Sequence, residues 1–99
     1  MNRIEASILA LGPQYLNNRR EDLLRLQAAL KVGQFAEMVR IGHRIKGSAK
    51  VYGFEELGKI AGTLEEAGKR ADPQAVHVAL ERMQIYLDQI PVQTIAKQD

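Results

Sequence analysis

The amino-acid sequence predicts an all-α fold: an antiparallel up-down-up-down four-helix bundle with a short additional N-terminal helix. Apolar residues recur every three or four positions along the chain, which is the spacing of one face of an α-helix. No segment shows the sustained two-residue alternation that is typical of a half-buried β-strand. The connections between the predicted long helices are only a few residues, and short connections favour antiparallel neighbours.

The first predicted element is a short helical segment over residues 4–11. It ends at Gly12-Pro13, because proline disfavours helical geometry in the residue before it and suits the first turn of a following helix. We expect the second helix to begin there and to stop near Gly33. Leucines on one side of this helix are opposed by polar residues on the other: Leu16, Leu23, Leu26 and Leu30 against Asn18, Arg19, Arg25 and Lys31.

Three further helices complete the prediction. The third covers residues 34–52, with Gly53 at the terminating position. The fourth covers residues 54–70, with acidic residues at its start and basic residues at its end, as the helix macrodipole favours. The fifth begins at Asp72-Pro73, because aspartate can cap a helix and proline suits its first position. Its inward residues are Val76, Leu80, Met83, Leu87 and Ile90.

Length and composition indicate one domain. The chain has 99 residues, of which 45% are hydrophobic, enough to bury a single core. We expect this domain to cover residues 1–91, with Pro91 ending the last helix. Residues 92–99 lack a convincing apolar face, so we expect a flexible C-terminal tail there. Nothing in the pattern requires a dimer, and we expect a monomer.

Charge and composition argue against several classes of function. The 14 basic and 12 acidic residues are spread along the chain, and no long basic stripe indicates a nucleic-acid partner. The absence of cysteine excludes disulfides and cysteine zinc sites and is compatible with the cytoplasm, where we expect the protein. No run of about 18 apolar residues and no signal-peptide pattern occurs, so we expect no membrane partner. His77 has no second histidine nearby, so we predict no metal site.

The run from His43 to Lys50 is the candidate chemical site. At about 100° per residue, an apolar arc lies opposite His43 and consists of Met38, Ile41, Ile45, Ala49 and Tyr52. We therefore expect His43 to face water. Lys46 and Gly47 lie one helical turn after His43, and Lys50 lies two turns after it, so the four residues share one stripe of surface.

These residue types suit phosphoryl chemistry. A solvent-exposed imidazole is mostly neutral at pH 7 and keeps a nucleophilic nitrogen. A phosphoryl group brings about two negative charges, which Lys46 and Lys50 are spaced to stabilise. A glycine inside an exposed helix costs roughly 1 kcal/mol relative to alanine, so Gly47 indicates that a missing side chain clears the approach to His43. An ordinary exposed histidine among solvated lysines remains the alternative.

Other glycines are better explained by packing. Gly42 lies toward the edge of the apolar arc, which favours close contact with a neighbouring helix. Gly58 and Gly62 are spaced like a membrane dimer motif, but their flanking residues are charged. We interpret these positions as sites of close helix packing.

The candidate site also carries a family resemblance. His43-Arg44-Ile45-Lys46-Gly47-Ser48-Ala49, followed by Tyr52-Gly53-Phe54 and Leu57, closely resembles the H-x-L-K-G-S-[SA]...L-G...L signature of histidine-containing phosphotransfer (HPt) domains. Ile45 replaces the usual leucine, and Tyr52 stands where leucine is common. The leucine-rich helix before the site and the last amphipathic helix are in register with the family, so the resemblance covers nearly the whole chain.

The resemblance implies a function in a two-component phosphorelay. His43 would be reversibly phosphorylated and would exchange the group with an aspartate of a response-regulator receiver domain, in a pathway fed by a hybrid sensor histidine kinase. Lys46 would stabilise the phosphoryl group, Gly47 would admit the receiver, and Lys50 would add charge. The chain would be a phosphoryl carrier and not an enzyme, and it would need no cofactor, because the receiver supplies the magnesium. No Gly-rich phosphate loop is present, so we expect no phosphorylation from ATP by the chain itself.

Three alternatives remain open. The run from His43 to Gly47 also resembles the phosphorylated domain of chemotaxis-type histidine kinases, in which a glutamate on the next helix contacts the imidazole. Glu65 stands at the matching position and would orient the ring, although it could equally be a solvated helix residue. The second alternative is a phosphorylation-independent helical adaptor. The third is a small enzyme that uses His43 as a general base.

Overall fold

The computed structural model describes residues 3–90 of the chain. It contains four α-helices, α1 (Arg3–Lys31), α2 (Phe35–Val51), α3 (Glu55–Lys69) and α4 (Pro73–Gln89), and no β-strand within that range. Helices that follow one another in the chain pack side by side, and α4 also packs on α1. The predicted all-α fold with four long helices is therefore confirmed, while the up-down-up-down order stays a prediction.

The separate N-terminal helix predicted before Gly12-Pro13 is not found, because α1 continues through both residues. Pro13 lacks a backbone N–H, so α1 loses one i→i−4 hydrogen bond there while the turns on either side keep theirs. Gly12 is buried, and a Cβ added to it would lie 3.8 Å from Cζ of Phe54. Tyr15 and Leu16 are buried in the next turn. This packing offsets the cost of a proline inside a helix, which is about 3 kcal/mol. The sequence-based prediction took only that local cost into account.

The helix ends fall close to the predicted positions, and each has a local cause. Gly33 and Gly53 adopt φ angles of +71° and +86°, a left-handed conformation that glycine enters without a Cβ penalty, and α1 and α2 end just before them. Asp72 caps α4 by accepting a hydrogen bond of 3.1 Å from a backbone amide, and Pro73 is the first residue of that helix. The tail predicted over residues 92–99 lies outside the described residues.

The core is built from the apolar stripes that the sequence predicts. Each helix contributes buried side chains: Leu16, Leu23 and Leu26; Met38, Ile41, Ile45 and Ala49; Leu57 and Leu64; and Val76, Leu80, Met83 and Leu87. Leu30, Tyr52 and Ile90 are partly buried and pack against this core. Burying one stripe per helix fixes the rotation of that helix about its axis. The core therefore decides which residues of α2 face outward.

In the described part of the chain, two charged residues are buried: Asp22 on α1 and Glu65 on α3. The Oδ2 atom of Asp22 lies 2.9 Å from Nε of Arg19. Its Oδ1 atom lies 3.2 Å from Nη1 of Arg25 and 3.0 Å from Nη2 of Arg44, which belongs to α2. The prediction that Arg19 lies on the side of α1 opposite the leucines is wrong, because its side chain is only 12% exposed. Asp22 draws this arginine toward the core and connects α1 to α2.

Candidate functional site

His43 lies on the solvent-facing side of α2, opposite the buried stripe of that helix. Ile41 and Ile45 are fully buried, whereas 70% of the His43 side chain is exposed. Gly47, one turn further along, is exposed as well. Beyond its own helix, no heavy atom of the described chain lies within 4 Å of a Cβ added to Gly47. The surface beside the imidazole is therefore open.

Glu65 reaches the imidazole from α3. Its side chain is only 4% exposed, and its Oε2 atom lies 2.9 Å from Nδ1 of His43. Its Oε1 atom lies 2.8 Å from Nζ of Lys46, which is one turn after His43 on α2. Nζ of Lys69, one turn after Glu65 on α3, lies 3.6 Å from Oε2. We call these four residues the Glu65 cluster.

The charges in the Glu65 cluster keep the carboxyl group ionised. The Lys46 ammonium, which is the largest cause, and the hydrogen bond with His43 lower the pKa of Glu65 to about 2, although burial acts in the opposite direction. The same contact raises the pKa of Lys46 above its ordinary value. An ionised carboxylate has no hydrogen to donate, so Nδ1 of His43 carries the proton and donates the hydrogen bond to Glu65. In the neutral ring, the second nitrogen, Nε2, therefore keeps its lone pair.

Close packing of α2 against α3 brings the two sides of the Glu65 cluster together. A Cβ added to Gly42 would lie 3.2 Å from the Ala61 carbonyl oxygen and 3.3 Å from the Glu65 amide nitrogen. A Cβ added to Gly58 would lie 3.4 Å from the Lys46 carbonyl oxygen. The interpretation of Gly42 and Gly58 as close-packing positions is confirmed. At Gly42 the neighbours are backbone atoms of α3, so a larger residue there would push the two helices apart beside Glu65.

Lys50, the second lysine of the predicted site, stays apart from the Glu65 cluster. It is exposed, and over residues 12–90 its ammonium makes no ion pair. The structure therefore brings together three of the predicted site residues, His43, Lys46 and Glu65, and leaves an open surface at Gly47. Lys50 lies on the same helix without an ion pair to Glu65.

Two charged residues near the site were not singled out from the sequence. Lys69 follows Glu65 by one helical turn, and this i,i+4 spacing was the available signal. Asp22 precedes Leu26 by four residues and so lies on the leucine stripe of α1. A carboxylate on an apolar stripe indicates a buried ionic partner, because aspartate is almost never fully buried unless paired. That partner set includes Arg44, the residue next to His43.

The rest of the described chain offers little competing chemistry. Between residues 3 and 90, no three His, Cys, Asp or Glu side chains are grouped in a way that could hold a metal ion. His77 is exposed on α4, where its Nε2 lies 3.5 Å from Glu81 one turn away. In the same range, no helix combines the length and the apolar character needed to cross a membrane.

A model of the Hpt domain family matches residues 13–92 of the chain. The matched range includes the whole Glu65 cluster and begins inside α1. No curated protein and no solved structure matches the chain.

Proposed function

This chain belongs to the Hpt domain family, and we propose that it carries a phosphoryl group on His43 to and from aspartates of response-regulator receiver domains. Hpt domains are phosphocarrier modules of phosphorelay signalling, not catalysts. They interact in general with receiver domains and histidine kinases. Membership of the family therefore implies histidine phosphotransfer.

The hydrogen bond between His43 and Glu65 is the observation that supports this role most directly. It occupies Nδ1 at 2.9 Å, while 70% of the His43 side chain remains exposed, so Nε2 is the available nucleophile. In the proposed step, Nε2 attacks the phosphorus atom of a receiver aspartyl phosphate. A P–Nε2 bond forms, the P–O bond to the aspartate breaks, and the aspartate carboxylate leaves. No proton has to move, because Nε2 attacks with its lone pair.

The neighbours of His43 suit the charges that this step creates. A neutral imidazole that gains a phosphoryl group becomes cationic, and the Glu65 carboxylate at 2.9 Å would stabilise that cation and hold the ring in place. Lys46 would stabilise the phosphoryl oxygens with the ammonium hydrogens that Glu65 does not accept. Gly47 would leave room for the receiver, and Lys50 would add positive charge nearby.

The proposed partners follow from the same reaction. We expect the receiver to supply the magnesium ion, so that this chain needs no cofactor of its own. A hybrid sensor histidine kinase would provide the phosphoryl group through its receiver domain. We expect the carrier to act as a monomer in the cytoplasm, without a nucleic-acid or membrane partner.

Transfer from a phosphorylated receiver domain to the purified chain tests the proposed function. We expect the chain to gain phosphate that is labile in acid and stable in alkali, as phosphohistidine is. His43→Gln should abolish the label, because it removes the nucleophile. His77→Gln removes the exposed histidine of α4 and is the matched control, with labelling like that of the wild type. Equal labelling of the wild type and His43→Gln would contradict the proposal.

The contact between Glu65 and His43 also favours a second function, that of the domain that chemotaxis-type kinases phosphorylate. This function predicts that a kinase catalytic region with ATP labels His43 faster than phosphorylated receivers do. A phosphorylation-independent adaptor predicts a different result: receiver binding that survives His43→Gln, without any transfer of phosphate.

A further inference from the structure

Gly62 lies on α3, three residues before Glu65. We propose that Gly62 is a positioning residue for the phosphorylation of His43, because it leaves the space in which the Lys46 side chain passes over α3 to reach Glu65. The inference rests on the proposed function and concerns how the neighbours of His43 are held in place.

The contacts of Gly62 are with a single side chain. A Cβ added to Gly62 would lie 3.2 Å from Cδ and 3.9 Å from Cγ of Lys46. Beyond its own stretch of helix, no other heavy atom of the described residues lies within 4 Å. At Gly58 the added Cβ would instead approach the Lys46 carbonyl oxygen, at 3.4 Å. Both glycines are therefore in close contact with α2, but the neighbour of Gly62 is the Lys46 side chain and not the α2 backbone.

The backbone does not require glycine at position 62. The residue lies inside α3, with neither a positive φ nor a turn to explain it. Alanine is more favourable than glycine at such a position, since glycine loses more conformational freedom on folding. The remaining explanation on this surface is the space that the Lys46 side chain occupies.

The space matters because the Lys46 side chain is held at both ends. Its backbone belongs to α2, and its Nζ atom lies 2.8 Å from Oε1 of Glu65. A methyl group at position 62, at 3.2 Å from Cδ, would force the middle of the chain away by a few tenths of an ångström. The ammonium would shift with it. Because the other oxygen of Glu65 holds Nδ1 of His43 at 2.9 Å, the change reaches the imidazole.

Labelling with phosphoramidate tests this inference without a protein partner. The P–N bond of phosphoramidate breaks, ammonia leaves, and a bond from phosphorus to Nε2 of His43 forms. We expect Gly62→Ala to lower the labelling rate by about three- to tenfold and Gly62→Val to lower it further. The melting temperature of Gly62→Ala should equal or exceed that of the wild type, because alanine favours the helix. Thr63→Ala, an exposed change on the same helix, is the matched control and should keep the wild-type rate.

A double-mutant comparison shows whether Gly62 acts through Lys46. Lys46→Met removes the ammonium, so Gly62→Ala should cause little further loss of labelling rate in that background. An equal loss from Gly62→Ala in both backgrounds would overturn the proposal. Wild-type labelling rates for both Gly62→Ala and Gly62→Val would overturn it as well.

NMR titration of Glu65 separates this inference from the proposed function. Gly62→Ala should raise the pKa of Glu65 from about 2 toward its ordinary range, because the Lys46 ammonium is the largest cause of the low value. This shift is expected whether or not any receiver transfers phosphate. If no donor labels the wild type but the pKa shifts, the proposed function fails and the placement of Lys46 by Gly62 is supported. An unchanged pKa contradicts that placement.

Discussion

Asp22 and Glu65 are both carboxylates buried beside α2, and they differ in what surrounds them. Asp22 contacts three arginines, whereas Glu65 contacts one histidine and two lysines. A guanidinium group is always protonated and has no lone pair to offer, but a neutral imidazole keeps one on its second nitrogen. The same arrangement, a buried carboxylate surrounded by basic side chains, therefore connects two helices at Asp22 and prepares a nucleophile at Glu65.

Two consecutive residues of α2 separate these regions. His43 contacts Glu65 on α3, and Arg44 contacts Asp22 on α1. They point in different directions because successive residues of an α-helix are rotated by about 100°. The contact with α1 helps to hold the rotation of α2 that exposes His43. Asp22 therefore helps to keep His43 exposed without touching the imidazole.

The largest expected effect is on the rate of phosphoryl transfer to His43, which should depend on Glu65 and not on Asp22. Glu65→Ala should slow transfer to His43 by about tenfold to a hundredfold, because Nδ1 loses the acceptor that fixes the tautomer of the ring. Asp22→Asn should leave the rate within about twofold of the wild type, since Asp22 acts on His43 only through the fold. The measurement is single-turnover transfer from a phosphorylated receiver. A rate loss for Asp22→Asn as large as that for Glu65→Ala would contradict the distinction between a structural Asp22 and a Glu65 that prepares the nucleophile.

The next largest expected effect is the loss of folding stability when Asp22 is replaced. Asp22→Asn should lower the free energy of unfolding by about 2 to 3 kcal/mol, because the nearly buried Arg19 guanidinium loses its charged partner. Urea denaturation measures the change. Asp88→Asn, on the exposed side of α4, is the matched control and should change the free energy by less than about 0.5 kcal/mol. Equal stability of the two variants would mean that the contacts of Asp22 do not stabilise the fold.

Acid stability tests the charge of Glu65. Its pKa is lowered from 4.5 to about 2 in the folded chain, so the unfolded chain binds a proton first as the pH falls. The stabilising contribution of the carboxylate is thus complete above its unfolded pKa and is lost as the pH falls through the folded value. Glu65→Gln removes this titration. The stability advantage of the wild type over Glu65→Gln should shrink as the pH falls from about 5 to about 2, and a constant difference would contradict an ionised Glu65.

The smallest expected effects concern the outermost cation of each region. Lys69 lies 3.6 Å from Glu65 with 53% of its side chain exposed, and Arg25 lies 3.2 Å from Asp22 with 64% exposed. Lys69→Met and Arg25→Met should each lower the free energy of unfolding by less than about 1 kcal/mol, because solvent screens exposed ion pairs. Lys69→Met should also slow transfer by less than about twofold. A tenfold loss would instead make Lys69 part of the transfer step.

The outward position of His43 could be predicted from the sequence, because it depends on the apolar period of one helix. Ile41 and Ile45 occupy the inner face of α2, which leaves the outer face for His43 and Gly47. The helix break predicted at Pro13 was wrong, because that prediction also depended on a local pattern alone. The local preference of proline was clear, but the packing of the surrounding turn on other helices is not visible in a local pattern.

Contacts between helices could not be predicted from the spacing of apolar residues within each helix. His43 and Glu65 are 22 residues apart, and only the resemblance to chemotaxis-type domains indicated that they meet. Arg19 was predicted to lie opposite the leucines of α1, yet Asp22 on the same helix holds it near the core. The contact of Gly62 with the Lys46 side chain likewise depends on how closely α2 and α3 approach, which no spacing within one helix specifies.

The position of phosphorus on the phosphorylated chain tests the central claim most directly. Two-dimensional NMR that correlates ³¹P with ¹⁵N identifies the nitrogen to which the phosphoryl group is bonded. The contact of Nδ1 with Glu65 predicts a bond to Nε2 of His43, with Nδ1 still protonated. A phosphoryl group on Nδ1 of His43, or on another residue, would contradict the account.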